Sequence, residues 1–175
     1  RDADPFDEAA VAAKQAAAKA PAAPPLACGC PGKMAKTIAR PPITESAAHD
    51  SHVLPNPSAL VNWPVQIKLV PVNAPYLKNA ALLIAADCSA FAYPDIHRRF
   101  MTNKVTLIGC PKLDEVDYAE KLTAILQAND IRSVTVLRME VPCCAGIAHA
   151  TKQALLASGK MIPWHVVTIS TDGAI

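Results

Sequence analysis

The chain is 175 residues long, 51% hydrophobic but only 5% aromatic, and its 17 basic and 15 acidic side chains leave a formal net charge of +2. That length suits one well-buried aliphatic core with appendages rather than two full domains. The near balance of charge supplies no basic stripe for nucleic acid, and no apolar run approaches the roughly 20 residues that a transmembrane helix needs.

Residues 1–64 hold most of the punctuation. Asp4-Pro5 opens a predicted Ala-rich helix from about Asp7 to Lys19, with Asp7 and Glu8 at its positive end. Pro21, Pro24, Pro25, Pro31, Pro41, Pro42, Pro55, Pro57 and Pro64 follow. Proline fixes φ and removes a hydrogen-bond donor, so this stretch reads as an arm running over a surface. The acidic, Ala-rich beginning is unlike a secretory leader, so an unexported, cytoplasmic chain is expected.

From residue 65 to 175 short β-branched runs alternate with amphipathic segments, the pattern of βαβ units. Predicted strands are Val65 to Val70, Ala81 to Ala86, Lys104 to Gly109, Ser133 to Met139 and Val166 to Ser170. Several are continuously apolar, as buried parallel strands are. Leu113, Val116, Leu122, Ile125 and Leu126 share one predicted helical face, and Ile147, Ala150, Ala154 and Leu155 another, with Gly159 ending that helix. The expected fold is α/β: an open, mostly parallel five-stranded sheet with helices on both faces, flavodoxin- or Rossmann-like, preceded by the helix and arm.

The six cysteines are not expected to form structural disulfides, because the cytoplasm keeps ordinary thiols reduced. Cys88, Cys110 and the pair Cys143-Cys144 each stand just past the C-terminal end of a predicted strand. In an open parallel sheet those ends line one edge, where such folds bind ligands. Cys110-Pro111 and Pro142-Cys143-Cys144 also fall at expected helix N-termini, whose positive ends favour thiolates. Four thiolates complete the shell of a [4Fe-4S] cluster. Both members of the adjacent pair reach one site only if the Pro142 turn is irregular. Structural zinc is disfavoured, since this region lacks cysteine pairs two to four residues apart. Cys28-Gly29-Cys30-Pro31-Gly32 lies in the arm and has three readings: further ligands, a reversible dithiol, or an exposed turn.

Four segments carry a family resemblance: Asn62-Trp63-Pro64-Val65-Gln66, Ala85-Ala86-Asp87-Cys88-Ser89-Ala90-Phe91-Ala92-Tyr93, Gly109-Cys110-Pro111-Lys112-Leu113-Asp114 and Met139-Glu140-Val141-Pro142-Cys143-Cys144. The chain resembles anaerobe iron-sulfur-binding ferredoxin-type proteins along nearly its whole length, including Asp4-Pro5-Phe6-Asp7, the Cys28 turn and Ser170-Thr171-Asp172-Gly173. Members carry a two-cluster ferredoxin module ahead of the counterpart of residue 1, and these 175 residues contain no such motif pair. The resemblance therefore implies a ferredoxin module, or another redox protein, as partner. Cys143-Cys144-Ala145-Gly146 departs from the family's Cys-Cys-Gly-Gly and is similar to the Cys-Cys-Gly modules of heterodisulfide reductases, which implies that a larger or non-cubane cluster is also open.

The resulting expectation is an electron-transfer domain with no catalytic residue assigned, holding a cluster on Cys88, Cys110, Cys143 and Cys144, with Cys28 and Cys30 as further candidates. Two alternatives stand beside it: a thiol oxidoreductase or redox sensor with Cys143 or Cys144 as nucleophile, and a docking scaffold with buried cysteines. Asp87 and Lys112 are candidates for tuning a cluster's potential. The five histidines read as structural or surface residues, and Arg98 and Arg99 as a solvated helix face. No nucleotide loop is present. The arm is long enough to embrace a neighbour, which leaves a homo-oligomer open.

Overall fold

The computed structural model describes residues 34–39 and 57–175. The predicted N-terminal helix, most of the arm, and Cys28 and Cys30 lie outside these residues. Described strands are β1 (Lys36–Thr37), β2 (Asn62–Trp63), β3 (Ala81–Ala86), β4 (Val105–Gly109), β5 (Ser133–Met139) and β6 (Trp164–Ile169). The helices are α1 (Ser89–Ala92), α2 (Tyr118–Ala128) and α3 (Ala145–Ser158). A π-helical turn, His97–Met101, follows α1, and a 3-10 turn, Pro142–Cys144, leads into α3.

β3 to β6 form one parallel sheet in the order β4-β3-β5-β6, so the α/β expectation holds with four strands instead of five. The missing one is Val65 to Val70. Its start does run beside β4, where Gln66 makes a single parallel bridge to Ile108. The amides of Leu69 and Val70 then both donate to the Gln66 carbonyl, at 2.9 and 3.1 Å, and the chain turns away before Pro71. The alternation of apolar residues with Gln66 and Lys68 does not reveal that backbone turn.

Strand alternation divides the core into two layers. Leu82 and Ile84 of β3, Val105 and Leu107 of β4, and Val134 and Val136 of β5 face α2 and α3, which contribute Leu122, Ile125, Leu126, Ile147 and Ala154. Leu83, Ala85, Leu137, Met139 and Ile169 point to the opposite face, covered by Ile96, Phe100 and Met101. Helical cover on both faces is the reason the strands are apolar almost throughout. Gly159 ends α3 at φ +70°, as its position predicts. Leu113 and Val116, by contrast, are exposed and precede α2. The helix starts later than its apolar spacing indicates because Asp117 caps it, its carboxylate accepting from the Ala119 amide at 2.8 Å.

The strap before the sheet is fixed to β4 by Asn62. This fully buried amide donates to the carbonyls of Pro64 and Thr106, each at 3.0 Å, and accepts from the Thr106 amide at 2.9 Å. The outward backbone groups of Thr106 in β4 are thereby satisfied.

Candidate functional site at the C-terminal edge of the sheet

Three neighbouring strands, β4, β3 and β5, each hand a cysteine to the loop at their C-terminal end. Cys88 follows β3 and begins α1, its carbonyl accepting from Phe91 and Ala92, both at 3.1 Å. Cys110 follows β4 and closes a turn in which its carbonyl accepts from Leu113 at 3.2 Å and Asp114 at 2.9 Å. It does not stand at a helix N-terminus, because that turn separates it from α2. Cys143 and Cys144 occupy the 3-10 turn before α3, where the tight winding sends one outward and one inward. Cys88 and Cys143 are exposed, Cys110 is half-buried, and Cys144 is buried, all as free thiols.

Cys144 departs from the thiolate expectation. Burial pushes its thiol up from the ordinary 9.0; the next influence in size, a hydrogen bond with the Met139 backbone, lowers it, and the nearby Cys143 and Cys88 sulfurs add smaller raising effects. At Cys144 desolvation outweighs any helix-end effect. The same interactions place Cys88, Cys143 and Cys144 in one electrostatic neighbourhood. Cys110 is tied to it through the backbone: a Cβ on Gly146 would come within 3.0 Å of the Pro111 Cβ, so the loop after β4 lies directly on the first turn of α3. Gly146 is the glycine of the Cys-Cys-Ala-Gly run that this contact requires. Among the described residues, no three His, Cys, Asp or Glu side chains are grouped tightly enough to hold a metal ion.

Around the thiols lies a polar shell that the sequence only partly indicates. Asp87, expected as a neighbour of Cys88, has one buried carboxylate oxygen without a hydrogen-bond partner. Burial and then the Asp114 charge raise its pKa, and a bond from Gln66 partly offsets them. The Tyr118 hydroxyl donates to Asp114, which Lys68 approaches at 3.8 Å. Burial, then that bond, push the Tyr118 phenol far up. Glu140 accepts from the amide and hydroxyl of Thr171, at 2.8 and 3.0 Å, and so fastens the closing Ser170–Gly173 turn beside the Cys143 loop. Tyr118, Asp114 and Glu140 escaped the sequence reading. The spacing of Asp114 and Tyr118, four residues apart just after a cysteine, was the available signal.

The signature of the Rossmann-like domain family matches residues 74–175, which takes in every strand of the parallel sheet and all four of these cysteines. The chain belongs to that family. A relative from Archaeoglobus fulgidus, named "Uncharacterized protein", is 34% identical over 113 residues, covering 65% of this chain and 80% of the relative. No solved structure matches. In this Rossmann-like domain the thiols occupy the strand ends at which open α/β sheets bind their ligands.

His97 is structural, its Nδ1 accepting from the Ala59 amide at 3.1 Å. Arg98 is paired with Asp95, and Arg99 lies over the Tyr93 and Phe100 rings at 5.7 and 5.6 Å. No helix among the described residues is long and apolar enough to cross a membrane.

Proposed function

We propose that this domain binds an iron-sulfur cluster of [4Fe-4S] type and transfers electrons, with Cys88, Cys110, Cys143 and Cys144 as its four ligands; Cys28 and Cys30 of the arm would be called on only by a cluster larger than one cubane. One observation carries the reading: three adjacent parallel strands each deliver a thiol to the same sheet edge. A single ion draws its ligands into one small coordination sphere, whereas a cluster has bulk of its own and takes thiolates from farther apart. The absence of a one-ion grouping among the described residues is compatible with the second case. The cluster supplies one-electron chemistry. The chain supplies a reducing, cytoplasmic setting's free thiols, a buried wall at Cys144, and the polar groups of Asp87 and Asp114 nearby. A ferredoxin module or similar redox protein is the proposed partner.

The influence of the Cys143 thiol on its neighbour Cys144 supports a second reading, a dithiol oxidoreductase. Exposed Cys143 is then the attacking thiol and buried Cys144 its resolving partner, which narrows the choice of nucleophile to Cys143. A scaffold with merely buried cysteines fits Cys144 but not exposed Cys88 and Cys143.

Anaerobic reconstitution with iron and sulfide separates these readings. The proposal expects a brown protein with about 4 iron and 4 sulfide per chain, reduced by Cys88→Ser or Cys110→Ser. A colourless protein in which Cys143 alkylates fast, and whose Cys143 and Cys144 thiols close to a disulfide when an added small-molecule disulfide takes up their two electrons and two protons, overturns it in favour of the dithiol reading.

A further inference from the structure

The two edges of the parallel sheet are treated differently. At the β4 edge, Asn62 satisfies the outward groups of Thr106, and those of Ile108 are bonded by Val65 and Ile67, at 2.8 and 2.9 Å. At the β6 edge nothing comparable occurs among the described residues. The Val134 amide donates to the Pro163 carbonyl at 3.0 Å and the Glu140 amide to Ile169 at 2.8 Å, so the odd-numbered positions of β6 face β5. By strand alternation, the amides and carbonyls of Trp164, Val166 and Thr168 point outward. None of the hydrogen bonds found among the described residues reaches them.

Unpaired edges are normally blunted by lysine, proline or a bulge. The β6 sequence Trp164-His165-Val166-Val167-Thr168-Ile169 contains none of these inside the strand and no Asp, Glu, Lys or Arg. Trp164 and Val166 lie in register with Val134 and Val136, on the α2 and α3 side of the sheet, yet remain 39% and 41% exposed. Leu156 and Met161, just before β6, are exposed as well.

We propose that two copies of this chain join edge to edge through β6, antiparallel about a two-fold axis perpendicular to the sheet, making one continuous eight-stranded sheet. Such an axis keeps corresponding faces on the same side, so one copy's Trp164 can lie opposite its partner's Val166 and the reverse. Both positions have outward backbone groups, so this register pairs amides with carbonyls while forming aromatic to β-branched cross-strand contacts. Charge does not oppose the pairing: β6 itself carries no Asp, Glu, Lys or Arg, and the Lys160 ammonium beside the seam is satisfied within its own chain, donating to the Gln127 and Asn129 carbonyls at 3.0 and 2.9 Å. A second copy is therefore the occupant that fits, independently of what the thiols hold.

Sedimentation of the full 175-residue chain, prepared without iron, tests this. The expected mass is twice 18.5 kDa, falling to one chain in Val166→Lys, whose exposed position keeps the fold intact by circular dichroism. Leu113→Lys, at an exposed apolar position away from β6, retains the dimer. Hydrogen exchange on the unmodified chain is the second readout, with the Trp164 and Val166 amides protected at high concentration and losing that protection on dilution. A wild-type chain that sediments as a monomer, a Val166→Lys chain as dimeric as wild type, or freely exchanging Trp164 and Val166 amides overturns the proposal.

Discussion

Tyr76 has a hydroxyl that is buried with no hydrogen-bond partner, while its ring packs into the layer under α2 and α3. Leaving a buried hydroxyl unsatisfied costs about 1 kcal/mol or more. Tyr76→Phe is therefore expected to raise stability by about 1 kcal/mol, roughly 3 °C in Tm for a chain of this size. The same burial raises its pKa above the ordinary 10.0. A raised folded-state pKa gives a contribution that is complete below the unfolded value and is lost as pH rises through the folded one. Urea midpoints should thus fall above pH 10, less steeply in Tyr76→Phe than in wild type, and an equal fall in both chains contradicts this assignment. Cys144 shows the limit of residue-by-residue inference from sequence. Its place before a helix favoured a thiolate, but the 3-10 turn buries it, and desolvation becomes the larger effect.

Elements were legible where local pattern and tertiary environment agree. Ala81 to Ala86 and Ser133 to Met139 were readable to the residue because central parallel strands need apolar side chains on both faces. The run Val65 to Val70 alternates apolar residues with Gln66 and Lys68, as an edge strand would, and failed as a strand, since its fate depends on where the Gln66 carbonyl finds its donors. At the start of α2, Leu113 and Val116 continue the helical period but precede the Asp117 cap. The join between β4 and α2 rests on a close approach: a Cβ on Gly109 would collide with the Tyr118 hydroxyl and stand 2.7 Å from its Cζ. Tyr118 is buried and bonded to Asp114, so the ring has little room to retreat. Gly109→Ala is expected to cost about 2 kcal/mol by overpacking, seen as a Tm about 6 °C lower. An unchanged melting temperature would show that the ring yields freely.

For the molecule as a whole, sheet parallelism was the most productive inference, because it alone brings Cys88, Cys110 and Cys143-Cys144 to one edge from distant positions in sequence. The polar shell of Tyr118, Asp114 and Glu140 was not readable, since it depends on how the loops cross once the strands are in place. Strand direction also bears on how redox centres communicate. A two-fold axis perpendicular to the sheet reverses that direction between copies, so the two thiol edges of the proposed dimer point to opposite ends. With Lys160 level with its partner's Ser170, about ten residues of strand rise separate those ends, roughly 30 Å. Reduced, cluster-loaded protein should then give an electron paramagnetic resonance spectrum without spin coupling between copies, and a single-site redox titration. Each half of the proposed dimer would then be electrically a separate terminal, serving its own donor and acceptor with no current through the seam.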